Sequence, residues 1–280
     1  MCRVCRGENL TGLTYLDCEH CTELTELTKL PNLQILICNY CTALTTLPEL
    51  LNLQQLYCRK CTTLTVLPEL PNLKELYCDG CTALTGLPNL PNLEGLYCWE
   101  CITMTTLPDL PNLQQLYCCN CTSLTTLPEL PSLRVLNCYN CRALISPPDL
   151  PDLLKLFCGR CRKLTNLPAL PNLQKLDCHY CTGLTNLPDL PNVQVLDCQY
   201  CRSLIDLPEL PSLQTLACTG CVWLKRFYLP DLLQYIIRLN LLRRIQRFYR
   251  RRLWRRKFDE TLARIEYHPQ RGARVLEQYE

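Results

Sequence analysis

Glycine is scarce in this chain, with nine copies in 280 residues, and none falls in a run that builds a phosphate-cradling loop. Histidine is scarcer. His20, His179 and His268 are the three present, and none sits at a spacing that pairs it with a nucleophile or a metal-ligand set. No apolar run approaches the roughly 18 to 20 residues that cross a bilayer. The opening residues, MCRVCRGENL, lack the apolar stretch of a secretion signal. Together these absences argue against nucleotide chemistry, histidine-based catalysis and a transmembrane segment. The expectation is a soluble, cytoplasmic, non-enzymatic protein with no cofactor, no resident metal and no small-molecule substrate.

Cysteine and proline, by contrast, are plentiful, with 25 and 21 copies, and both recur at fixed intervals. Residues 71–90, PNLKELYCDGCTALTGLPNL, return with little change from about residue 18 to residue 221. Within that phrase Leu73, Leu76, Cys78, Cys81, Leu84, Leu87 and Leu90 follow the leucine-rich-repeat pattern, with cysteine in two of its core positions. Self-similarity at a fixed period replaces a domain count with a stack of units. The expected fold is an α/β-type leucine-rich-repeat solenoid. Alternation around Leu76 predicts a short parallel strand with Leu76 inward and Glu75 and Tyr77 outward, and stacked strands make one sheet on the concave face. The return path, TxLPxLPN, carries two prolines, which lack an N–H and fix φ, so an irregular, polyproline-like convex face is expected. Eleven rungs at roughly 4.8 Å make a rod or shallow arc about 50 Å long. A buried leucine such as Leu96 is expected to cost about 2 to 5 kcal/mol on truncation to alanine, and the neighbouring Tyr97 little.

Residues 1–17 read as a shortened first unit or cap, 18–221 as the solenoid, and 222–280 as a C-terminal cap with a basic helical tail. The net charge of +3 hides an asymmetry: residues 1–221 hold 14 Lys/Arg against 20 Asp/Glu, and residues 222–280 hold 15 against 6. Pro230 and Asp231 suit a helix start, and 231–258 read as one long helix with an arginine-rich face.

Of the cysteines, 22 form eleven Cys-x-x-Cys pairs, from Cys18/Cys21 to Cys218/Cys221, leaving Cys2, Cys5 and Cys119 outside. The spacing literally satisfies a zinc-site pattern, and neighbouring rungs would bring thiols within disulfide range. The repeat itself forces that spacing, however, and no histidine joins it. Two columns of reduced, buried thiols are the favoured reading, the first filling a leucine position and the second donating its weak S–H to backbone carbonyls.

On the outward face, the column just before the first cysteine contains Tyr57, Tyr77, Tyr97, Tyr117 and Phe157. Aromatic residues at rung spacing offer a protein partner contact area at little entropic cost, and they also suit a sheet by stacking on each other. A second column, including Glu49, Glu69, Asp109, Glu129, Asp149, Asp189 and Glu209, gives the return side an acidic, solvated edge. In the tail, Ile245, Gln246, Arg250 and Arg255 fit an IQ-like pattern, with Trp254 as an apolar anchor. That helix would bind a calmodulin-like protein or a polyanion, nucleic acid or membrane, or pack over the end of the solenoid.

The phrase TxLPxLPxLxxL resembles the short leucine-rich repeats of bacterial effectors. The fuller form, PNLQxLYCxxCTxLTxLPxL, resembles cysteine-bearing repeat proteins of giant DNA viruses of the marseillevirus group, as does a tail with an IQ-like helix followed by Tyr267-His268-Pro269. The resemblance implies an interaction scaffold in host cytoplasm that binds a protein, with the host as one candidate source, on its concave face. The alternative it implies is a structural virion component engaged through the basic helix.

Overall fold

The computed structural model describes residues 4, 5, 10 and 12–223. Eleven three-residue strands run in chain order: β1 (Tyr15–Asp17), β2 (Ile35–Ile37), β3 (Gln55–Tyr57), β4 (Glu75–Tyr77), β5 (Gly95–Tyr97), β6 (Gln115–Tyr117), β7 (Val135–Asn137), β8 (Lys155–Phe157), β9 (Lys175–Asp177), β10 (Val195–Asp197) and β11 (Thr215–Ala217). They form one parallel sheet in which each strand pairs with the next, in the order β1 to β11. Register is fixed at one repeat, so that Leu56 faces Leu76 and Leu76 faces Leu96. The molecule is a parallel β-solenoid built on leucine-rich repeats.

Each rung turns three corners, and the sequence supplies a reason for each. In the second rung, backbone bonds close Leu30–Leu33, Cys38–Cys41 and Cys41–Leu44 as i to i+3 turns of 3.1 to 3.3 Å. Between corners the inward positions change period. Leu36 and Cys38 are two apart, as in a strand, whereas Cys41, Leu44, Leu47 and Leu50 are three apart, and all are buried. Burial of every third residue is the signature of a threefold extended path, and the return segments contain no helix or strand. The prolines therefore sit where no ladder donor is needed.

Stacking copies the seven inward side chains of each rung into continuous columns. No polar or charged side chain is buried among the described residues. Substitutions inside the columns keep volume: Met104 replaces a leucine and Val193 another, both fully buried. Outside the core, the asparagine within the first corner ties the rungs together. Asn52, Asn92 and Asn112 each donate Nδ2 to the carbonyl of the proline one rung back, at 2.8 Å. Thr63 and Thr103 do similar work at the next edge, each giving one hydroxyl to carbonyls of the preceding rung.

The residue before the second cysteine takes a left-handed backbone in every full rung. Nine of these are not glycine, among them Tyr40, Lys60, Arg160 and Tyr200, with φ between 57° and 62°. Such a conformation costs an L-residue about 1 to 2 kcal/mol. It also aims the N–H straight at the next rung: Tyr40 donates to the Arg59 carbonyl and Lys60 to that of Asp79, both at 2.7 Å. These bonds carry the sheet ladder around the corner, and the stack holds the strained residue in place.

Because Leu96 is fully buried with leucine copies on both sides, Leu96→Ala should lower unfolding stability by about 2 to 5 kcal/mol in urea melts. A loss below about 1 kcal/mol would mean that the column collapses to fill the void.

Candidate functional site

The outward column before the first cysteine is continuous on four strands. Tyr57, Tyr77, Tyr97 and Tyr117 lie in register on β3 to β6. Their rings stack nearly parallel, with centroids 4.5, 4.4 and 5.0 Å apart. All four are half-buried. Faces are spent on neighbours, so the stack shows solvent its ring edges and hydroxyls.

The hydroxyls of Tyr57, Tyr77 and Tyr97 have partners set by the column two residues earlier. Tyr77 donates to Glu75 Oε2 at 3.1 Å on its own strand. At the next strand that position is Gly95, over which the Tyr97 ring lies so closely that a Cβ would meet it at 3.3 Å. Lacking a partner there, Tyr97 donates across to Gln115 Oε1 at 3.1 Å. Arg59, paired with Asp79 at 2.8 Å, also places its guanidinium 5.0 Å from the Tyr77 ring centre. Burial raises the ionisation of Tyr57 and Tyr97 above the usual phenol range. Tyr77 is raised further, by burial first and then by the hydrogen bond to Glu75 and its charge.

The structure separates Phe157 from this group. Asn137 interrupts the aromatic run on β7, and Phe157 on β8 instead sits under Lys175 Nζ, 4.9 Å from its ring centre. Tyr97 also differs from expectation. A ring stacked on both faces contributes about 0.5 to 1.5 kcal/mol per pair beyond its buried area, so its truncation is not cheap.

A second cluster lies at the left-handed corners, where Tyr180 and Tyr200 stack at 4.6 Å and Arg160 sits 5.5 Å from the Tyr180 ring. Beside it is an arrangement that the sequence did not suggest. Among the described residues, Asp177, His179 and Asp197 are the one group of three or more His, Cys, Asp or Glu whose ligand atoms lie within 4.8 Å of one another. Asp-x-His in one rung and Asp in the next was its signal, visible once the period is used to align them. Local turn chemistry already explains both carboxylates: Asp177 accepts from the His179 N–H and Nδ1, and Asp197 from the Gln199 N–H. Asp17 caps Glu19 the same way.

The cysteine columns run unbroken from Cys18/Cys21 to Cys201, and the thiols from Cys38 to Cys201 are reduced. From Cys41 to Cys221 each second cysteine in turn donates Sγ–H to the carbonyl of the first cysteine one rung back, at 2.9 to 3.2 Å. Contact with the next rung's thiol, then burial, raises the first-column thiols well above their ordinary range. No trio of described thiols meets the ligand distance above.

Ile245, Gln246, Arg250, Trp254 and Arg255 of the expected basic helix lie outside the described residues, as does the rest of that tail.

The geometry defines the class: a leucine-rich-repeat solenoid with an internal cysteine ladder. No family model matches the chain, and no curated protein matches it. Solved structures that are similar include the following two. A leucine-rich repeat protein from Bacteroides ovatus is 16% identical, with 78% of each chain covered and a TM-score of 0.35. YopM from Yersinia enterocolitica is 26% identical over 74% of this chain and 56% of its own, with a TM-score of 0.42. Neither superposition is close enough to carry a functional argument.

Two measurements follow from this geometry. Tyr57, Tyr77 and Tyr97 are held neutral by the folded state, which favours folding below the unfolded phenol range of about 10 and loses that contribution as pH climbs toward the raised folded values. Absorbance titration should therefore show a late-ionising tyrosine class that shrinks in Tyr77→Phe; a single class near the ordinary value would contradict the stack. Native protein should also expose few thiols to a bulky reagent, Cys5 and Cys218 among the described ones, with the ladder reacting only after denaturation.

Proposed function

We propose that this protein is a non-enzymatic interaction scaffold that binds a protein partner along the tyrosine-bearing face of its sheet, the face expected to be concave. The observation that carries this reading is the four-tyrosine stack itself, a flat run of ring edges and hydroxyls at rung spacing. Asn137, Asp177 and Asp197 occupy the same backbone position elsewhere in the sheet, so the fold does not demand tyrosine there. Aromatic residues held rigid before contact lose little entropy on binding. Arg59, Asp79 and Glu75 beside the stack mix both signs, which suits a protein surface better than a phosphate backbone.

The buried thiol columns favour a reducing compartment, in keeping with a cytoplasmic location. The excess of 15 basic over 6 acidic residues in 222–280 favours a second contact there, with a calmodulin-like protein or a polyanion. Kinship with giant-virus repeat proteins belongs to the same proposal and rests on the repeat phrase.

Affinity capture with the wild type and with Tyr77→Ser/Tyr97→Ser/Tyr117→Ser, run beside a control substitution on the acidic return edge, tests the assignment. Partners retained by the control should be lost from the triple variant while its circular dichroism stays solenoid-like. Identical partner lists would defeat it.

A further inference from the structure

The first turn breaks the repeat, and across the break two second-column thiols meet, where the ladder sets each second-column thiol against a first-column one. Cys-x-x-Cys at 2/5 and at 18/21 are sixteen residues apart instead of twenty. Inside the ladder, the twenty-residue step points each second-column thiol at a carbonyl, as Cys41 does at Cys18. At the compressed first step, Cys5 Sγ lies 3.2 Å from Cys21 Sγ. A disulfide needs about 2.05 Å, so the sulfurs must close by roughly 1 Å. Cys5 is half-buried and packs with Val4 against the core, and Cys21 is 7% exposed. The thiols from Cys38 to Cys101 are fully covered, which keeps an oxidant off those rungs, whereas Cys5 at this end is half-buried.

We infer that Cys5 and Cys21 are a redox-modification site, oxidised by a peroxide to a disulfide that clasps the N-terminal turn onto the first rung. The chemistry balances in two steps. The Cys5 thiolate attacks one peroxide oxygen, the O–O bond breaks, and hydroxide leaves and takes up a proton as water, giving the Cys5 sulfenic acid. Cys21 sulfur then attacks the Cys5 sulfur, the S–OH bond breaks, and a second water carries away the Cys21 proton. Two thiols lose two electrons in all, and one peroxide gains them. A dithiol reductant reverses the bond by exchange. The cross-link acts beside β1, which pairs with β2 alone among the described strands.

The test uses the full chain, folded, treated with one equivalent of hydrogen peroxide, then alkylated and mapped by mass spectrometry. The expected product is a single linked peptide pair containing Cys5 and Cys21, lighter by two hydrogens, formed several-fold faster than any ladder disulfide. Cys2→Ser should form it at the same rate, and Cys5→Ser should not form it. Amide exchange in β1 should slow on oxidation and recover on reduction. The inference is overturned if Cys2 proves to be the bridging residue, if ladder cysteines pair as fast, if Cys5 passes to sulfinic acid unbridged, or if β1 exchange is the same in both states.

Discussion

Everything in this molecule depends on one constraint, that each rung lies on its copy in register. Parallel hydrogen bonds tie each strand to the next with a fixed offset of one repeat, and the same offset places leucine on leucine in every inward column. A lone three-residue strand has too little ladder and too little buried surface to persist. Stacking supplies both at once, and it also explains how the chain tolerates nine L-residues in a left-handed corner. Their local cost is offset by an inter-rung hydrogen bond apiece and by the columns on either side, so the strain is a property of the rung and not of the residue type.

Cysteine belongs to the same constraint. Asparagine serves as a rung-to-rung tie where the corner is exposed, as at Asn92, because water can satisfy the rest of its amide. At the buried corner an amide would leave donors or acceptors unpaired, at a cost of about 1 to 3 kcal/mol each. A thiol is small and asks for little: Cys61 needs only the Cys38 carbonyl. Two thiol columns thus fill a dry corner that asparagine cannot enter cheaply, without any metal or cross-link being required of them.

Much of this was legible in the sequence, because core positions are dictated by period alone. Leu73, Leu76, Cys78 and Cys81 declare their burial by phase, and the prolines declare a return path without helix. The left-handed corner was not legible. Its usual marks, glycine and asparagine, appear at Gly80, Asn120 and Asn140, but His20, Tyr40, Lys60 and Arg160 share the position, and stacking overrides their preference. The tyrosine column and its interruption at Asn137 were visible by phase, whereas the switch of Tyr97 to Gln115 depends on a single neighbour, Gly95. The group of Asp177, His179 and Asp197 was missed because its members join only across a rung boundary.

The tyrosine stack shows where constraint ends and choice begins. Inward positions are nearly invariant along the array because each must match the rungs above and below, but outward positions are released from that demand, and β7, β9 and β10 use Asn or Asp at the tyrosine phase without changing the backbone. Four consecutive tyrosines are therefore an addition to the fold, not a product of it. By stacking on one another they spend their faces and gain rigidity, and burial keeps the hydroxyls of Tyr57, Tyr77 and Tyr97 neutral. What remains for a partner is a row of edges and hydrogen-bonding groups spaced by the rung. Such a row rewards a partner that offers polar atoms in sequence and penalises one that offers only an apolar knob, because the hydroxyls of Tyr77 and Tyr97 would then lose solvent without gaining a partner beyond Glu75 and Gln115.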